Sequence, residues 1–250
     1  MTRIALITGA NKGIGFATAR LLGERGMTVL VGARDSGRGQ AAVETLREAG
    51  IDAHPVTLDV TDEATIEKAA AWIDAEFGHL DVLVNNAAIT RIDGTGRPSE
   101  TTRATLRAVF ETNVYGVVAV TNAMLPLLRK GTSPRIVNVS SEVGSIGFMT
   151  APDSPLRDVA GIPYPASKTA LNMVTVMYAK ELRESGIKVN AANPGYCATD
   201  LNNNSGFRTP EQGAEVTVYL ATLPDDGPTG TLWGYLWRTD GTDGYGVLPW

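Results

Sequence analysis

Short apolar runs rich in β-branched residues recur along the chain with helix-length stretches between them, and this alternation most limits the folds open to it. The runs are "RIALIT" (3–8), "MTVLVGA" (27–33), "AHPVTLDV" (53–60), "LDVLVNNA" (80–87), "RIVNVSS" (135–141) and "IKVNAANPG" (187–195). They are continuous rather than half-polar, the pattern of strands buried on both faces of a parallel sheet. Helices are expected over 14–25, 37–49 (ended by Gly50), 62–77 (with Thr61 as N-cap), 101–129 and 165–185. Repeated βα units imply a doubly wound α/β sheet with helices on both faces. A length of 250 residues suits one core, so 1–250 is expected to form one domain.

Three polar or Gly/Pro-rich stretches break the rhythm: 90–100, 144–163 and 200–213. Each follows a strand at its carboxyl end, where open α/β sheets bind ligands. A net charge of −5, with no basic stripe interleaved with aromatics, argues against a nucleic-acid partner. No apolar run approaches the ~18 residues of a membrane span, and the start of the chain lacks a cleavable leader pattern. A cytoplasmic protein is expected. Cys197 is the only cysteine, so no internal disulfide can form, and the two histidines, His54 and His79, do not cluster into a metal site.

Two motifs carry chemistry. "TGANKGIG" (8–15) follows the first strand and opens a helix. Gly9, Gly13 and Gly15 permit a tight turn and close backbone approach, and the helix start offers free N–H groups to a pyrophosphate. Asn11, Lys12 and Ile14 fill the rest of that loop. Further on, "YPASK" places Tyr164 four residues before Lys168. On a helix both point from one face. A nearby ammonium is expected to lower the pKa of a phenol and make it a usable proton shuttle.

Taken in order, "TGANKGIG", "NNAA" (85–88), Asn113, "NVSS" (138–141), "YPASK" and "NPG" (193–195) resemble the classical short-chain dehydrogenase/reductase family over almost the whole chain. Segments 32–50 and 208–230 are similar to its carbonyl-reductase-like branch. Ala88 departs from the family's usual glycine at that place. The resemblance implies a Rossmann-type three-layer α/β/α fold and a hydride transfer between a nicotinamide cofactor and a ketone or aldehyde, or the reverse oxidation of a secondary alcohol. It assigns Asn113, Ser141, Tyr164 and Lys168 to catalysis, with Tyr164 and Lys168 also binding the cofactor, Lys168 at the nicotinamide ribose, and Asn113 holding a water of the proton relay. Ser141, rather than its neighbour Ser140, fits the family's Ser-x-x-Gly pattern.

For the cofactor, the resemblance assigns Asp59 and Val60 to the adenine, Asn86 and Ala87 to the ribose region, and Pro194, Gly195 and Thr199 to the nicotinamide. Lys12 and Arg34 are bases where NADPH-preferring relatives carry them, so NADPH/NADP+ is expected over NADH. Residues 142–149, with Ile146, Phe148 and Met149, Tyr196, the 200–209 loop, and Trp233, Tyr235 and Trp237 either line a pocket for an apolar or aromatic carbonyl or alcohol substrate, or serve as core packing. Ser141 and Tyr164 lie 23 residues apart, longer than in the wider family. The extra chain suggests a monomer. Two other readings stay open: an oxidative alcohol, sugar or steroid dehydrogenase with the same residues, and a non-catalytic NADP-sensing protein.

Overall fold

The structure, a computed structural model, describes residues 2–238 and 240–250. Among these described residues, eight strands form one sheet in the order β3-β2-β1-β4-β5-β6-β7-β8. They are β1 (Ile4–Thr8), β2 (Thr28–Ala33), β3 (Ala53–Thr57), β4 (Val82–Asn85), β5 (Arg135–Val139), β6 (Lys188–Asn193), β7 (Leu232–Leu236) and β8 (Gly244–Leu248). All neighbours are parallel except β7 and β8. The helices are α1 (Gly13–Gly23), α2 (Ser36–Glu48), α3 (Glu63–Phe77), α4 (Arg103–Phe110), α5 (Gly116–Leu128), α6 (Ile146–Thr150), α7 (Pro163–Glu181) and α8 (Pro210–Ala221). The strand order reverses between β1 and β4, the switch point at which a Rossmann-like sheet opens a crevice. Among the described residues no helix is long and apolar enough to cross a membrane.

The period of two along each strand divides the apolar residues between two cores. Ala5, Ile7, Val29, Val31, Val82 and Val84 face α1, α2 and α8 through Leu22, Leu46 and Val218. Ile4, Leu6, Leu30, Leu83 and Ile136 face α3, α5 and α7 through Ile73, Met124 and Ala179. A strand with apolar residues at every position is stable only between two such layers, which is why these runs carry no polar alternation.

Several boundaries differ from the sequence expectation. Asp62, not Thr61, caps α3 by accepting the Ala64 N–H at 3.0 Å. Thr61 instead donates its N–H and hydroxyl to Asp59 Oδ1, and that turn ends β3 at Thr57 rather than at 60. The 101–129 stretch is helical, but a π-helical turn at Glu111–Tyr115 interrupts it. Just beyond, a Cβ on Gly116 would stand 2.7 Å from Val60 O, so the helix meets the end of β3 without a side chain between them. The 200–213 loop stops at Thr209, which forms a capping box with Gln212 at the start of α8. Trp233 and Tyr235 lie on β7, a strand of the sheet.

Asp81 holds the opposite, amino end of the sheet together. Buried just ahead of β4, it accepts the Ile4 N–H at 2.8 Å and the Thr132 N–H at 2.7 Å. Asp81→Ala leaves the buried Ile4 N–H without a partner, while water can reach the exposed Thr132 N–H, and is expected to cost on the order of 2 kcal/mol. A fall in the urea midpoint at unchanged slope would measure it.

Candidate active site

The glycine loop is braced from β4. Thr8 Oγ1 accepts the N–H groups of Asn86 and Ala87, both at 3.0 Å. Asn86 Nδ2 donates back to Thr8 O at 2.9 Å and Gly9 O at 3.1 Å. Gly9 and Gly13 take positive φ, 63° and 57°. At Gly15 a Cβ would come within 2.4 Å of Asn86 Nδ2 and 2.7 Å of Gly9 O, so only glycine fits. The loop thus delivers the start of α1 to the crevice, and no side chain caps that helix at Lys12. Uncapped first-turn N–H groups are donors for an anion. Asn11 and Ile14 are half-buried in the same loop.

Just past the end of β2, the exposed Asp35 caps α2, accepting the Arg38 N–H at 2.9 Å. That bond, followed by the Arg38 charge, holds its carboxyl below the usual range. Arg34, one residue earlier, is left exposed. Lys12 Nζ reaches Asp200 Oδ2 at 2.5 Å, bridging the glycine loop to the segment after β6. Thr199 flanks the same place, with Cγ2 3.6 Å from where a Gly13 Cβ would be. Asp59 and Val60 are half-buried at the end of β3, and the Asp59 carboxylate is engaged by Thr61. Gly195 has φ 74°, and a Cβ there would be 2.7 Å from the Tyr235 ring and 2.8 Å from Arg208 Cδ.

Tyr164 and Lys168 stand one turn apart at the start of α7, with Lys168 Nζ 5.4 Å from the centre of the Tyr164 ring. Lys168 is buried and donates to Val139 O at 2.7 Å, which anchors it to the end of β5. Desolvation brings the Lys168 ammonium down to about 7. The phenol does not follow the expectation of a lowered pKa. Burial first, then the charges of Glu142 and Cys197, push Tyr164 well above the usual phenolic range. Depth of burial dominates at the phenol, and Lys168 beside it is itself desolvated.

The two serines separate cleanly. Ser140 is buried and donates to Asn172 Oδ1 at 2.6 Å, inside the α7 interface. Ser141 is half-buried, and its hydroxyl accepts only a long contact from the Val143 N–H at 3.4 Å. Gly144 explains the Ser-x-x-Gly spacing, because a Cβ there would lie 2.7 Å from the main chain and Cβ of Lys168. Asn113 lies in the π turn, fully buried. Its side chain is spent on Ile89, accepting the N–H and donating to the carbonyl, each at 2.9 Å, and on Ser167 Oγ at 3.0 Å. The side chain thus braces the segment after β4 against α7.

Beyond Gly195 stands an aromatic wall. Phe207 packs 6.2 Å from Tyr196, 6.1 Å from Tyr235 and 5.1 Å from Trp237, and both Tyr196 and Phe207 are exposed. Ile146 is exposed, while Phe148 and Met149 are half-buried. Trp233 belongs elsewhere: it stacks between Tyr219 and Tyr245, with centroids at 4.1 and 5.9 Å. Sequence reasoning missed the Lys12–Asp200 pair, whose members are 188 residues apart, and three buried polar residues, Glu142, Asn193 and Arg208. The signal for Glu142 was a charge set directly after a strand among small residues.

The chain matches a family model described as short chain dehydrogenase over residues 3–208. It is 40% identical over 225 residues to the short-chain dehydrogenase anuI of Penicillium roqueforti, covering 88% of each. It is 32% identical to the (+)-neomenthol dehydrogenase of Capsicum annuum, covering 92% of this chain and 94% of that one. Among solved structures, salutaridine reductase from Papaver somniferum superposes with a TM-score of 0.79 at 31% identity, over 92% of this chain and 99% of the other. A gluconate 5-dehydrogenase from Burkholderia cenocepacia, in complex with NADP and tartrate, gives 0.79 at 25% identity over 93% and 92%. With its switch-point glycine loop and its tyrosine–lysine pair, the chain belongs to the short-chain dehydrogenase family, whose members are oxidoreductases acting on CH–OH and C=O groups.

Proposed function

We propose that the protein is an NADPH-dependent reductase of ketones or aldehydes with apolar or aromatic substituents, with Tyr164 as the proton donor. The observation that carries this reading is the pairing of Tyr164 with Lys168, whose ammonium is anchored on Val139 O at the carboxyl end of β5, two residues before Ser141. The first-turn N–H groups of α1, with Gly9, Asn11, Gly13, Ile14 and Gly15, would hold the pyrophosphate. Lys12 and Arg34 would take the adenosine phosphate, Lys12 by exchanging Asp200 for it. Asp59 and Val60 would border the adenine, Asn86 and Ala87 the adjoining ribose, and Pro194, Gly195 and Thr199 the nicotinamide. When bound, the cofactor supplies the hydride.

The chain's own groups would handle the proton and the geometry. Ser141 has a hydroxyl not committed elsewhere, suited to hold the substrate oxygen against Tyr164. Tyr164 gives its phenolic proton to that oxygen. Lys168, brought to about 7 by desolvation, exchanges protons with its surroundings near neutrality and can reload the phenol. A phenol held above its usual range stays protonated at neutral pH, which favours donation over abstraction and hence reduction over oxidation. The wall of exposed Tyr196 and Phe207 and half-buried Trp237 supports a bulky apolar substituent on the carbonyl. Relatives named (-)-isopiperitenone reductase and salutaridine reductase, 33% and 32% identical, fit the reductive direction.

Two outcomes test this. With a panel of ketones and aldehydes followed by loss of reduced-cofactor absorbance, Tyr164→Phe is expected to lose about 10²–10⁴-fold in kcat/KM while its melting temperature and NADPH binding stay at the wild-type level. Unchanged turnover would exclude Tyr164 as the donor. NADPH is expected to exceed NADH in kcat/KM, and Arg34→Ala to shrink that advantage by about tenfold, the worth of one charge-assisted hydrogen bond; a wild type that prefers NADH would refute the cofactor assignment.

A further inference from the structure

Arg208 is only 7% exposed, and none of the roles above uses it. A buried arginine is ordinarily paired with a carboxylate, because a charge taken out of water needs a partner. Among the described residues no carboxylate stands within ion-pair distance of this one. Its guanidinium instead lies 3.9 Å from the centre of the Tyr235 ring and 5.5 Å from that of Tyr245. One of its nitrogens donates to Gln212 O and to the Tyr245 hydroxyl, both at 2.9 Å. A planar guanidinium can stack on rings and donate in fixed directions at once, which an ammonium cannot.

These partners belong to three elements: Tyr235 to β7, Tyr245 to β8 and Gln212 to the first turn of α8. The main chain of Arg208 is fixed as well. Its N–H donates to Tyr196 O at 3.1 Å, and its carbonyl accepts the Ala198 N–H at 2.8 Å. Arg208 therefore closes the 197–207 segment into a loop at its base. Tyr196 and Phe207 sit at the two ends of that loop, with ring centres 6.2 Å apart. Tyr235 is common to both contacts, since it carries the guanidinium and also packs 6.1 Å from Phe207. Its own hydroxyl donates to Asp243, which accepts the Arg238 N–H at 2.7 Å and so holds the ring in place.

We propose that Arg208 is a positioning residue for substrate selection: it rivets the base of the 197–207 loop to β7, β8 and α8, so that Tyr196 and Phe207 form a preset seat for a flat apolar substituent, such as an aryl group, on the carbonyl compound. The inference rests on the reading that these two exposed rings border the substrate. Rings on an untethered loop would have to be ordered by the ligand, at a cost in affinity. A methionine would fill much of the same space, but only the arginine adds two directed bonds that set where the loop stands as well as holding it.

Three variants of the full chain test it. Arg208→Lys keeps the charge and loses the planar fork; Arg208→Met keeps only the bulk of the stem; Tyr245→Phe keeps the ring and removes the hydroxyl that receives the guanidinium. Steady-state kinetics are compared for an aryl ketone and a short aliphatic aldehyde, with NADPH affinity read by cofactor fluorescence. KM for the aryl ketone is expected to rise about tenfold in both Arg208 variants and about threefold in Tyr245→Phe. The kcat values, KM for the aldehyde and NADPH affinity are expected to stay at the wild-type level, the pattern of lost substrate binding rather than lost chemistry. An aryl-ketone KM that does not move in the folded variants overturns the proposal. So does a loss shared equally by both substrates, which leaves Arg208 a structural residue only. Should the Arg208 variants not fold, Tyr245→Phe decides by the same comparison. Failure of the wild type to reduce any carbonyl compound would instead remove the functional reading on which the inference stands.

Discussion

The hydrogen bonds between the ends of β1 and β4 are the constraint from which the site follows. Parallel strands on either side of the switch point send their connections to opposite faces, so the chain must part there. Thr8 and Asn86 control that parting. One hydroxyl accepts two N–H groups from the β4 exit, and one amide returns two bonds to the carbonyls of the glycine loop. At roughly 1 kcal/mol each, four such bonds hold the crevice open at a fixed width. Every other candidate group is placed relative to that edge: Arg34 at the end of β2, Lys168 through Val139 at the end of β5, Gly195 beyond β6.

The electrostatics run against the simplest account of a tyrosine–lysine pair. An ammonium in water next to a phenol would make the phenol more acidic, but here both groups are desolvated and a carboxyl lies nearby. Desolvation disfavours charge on either partner, so the neutral phenol and a lysine that titrates near neutrality are the paired outcome. Such a pair is poised to give a proton away and to be resupplied, which is the demand of carbonyl reduction.

Much of this was legible in the sequence where a single residue type has one physical meaning. Continuous apolar runs specified strands covered on both sides, and the structure has them. Gly13, Gly144 and Gly195 stand where a left-handed φ or a close main-chain approach leaves no room for a side chain. Strand ends were less legible, because Asp59 and Thr61 close a turn by local bonds that an apolar pattern does not reveal. The direction of the Tyr164 shift was not legible either. It depends on Glu142 and on depth of burial, both set by tertiary packing. Ser140 and Ser141 differ in role only because α7 presents Asn172 to one of them.

Gly144 has one more consequence. Its missing side chain lets the turn after Ser141 rest directly on the main chain of Lys168, and its carbonyl accepts from Thr169 Oγ1 and Asn172 Nδ2, each at 3.0 Å. The offset between the turn carrying Ser141 and the first turns of α7 is therefore gauged by backbone against backbone. The intervening segment from Ser145 to Ile162 hangs outside that gauge. Its length and composition can drift to suit a different molecule while the turn after Ser141 stays seated on α7.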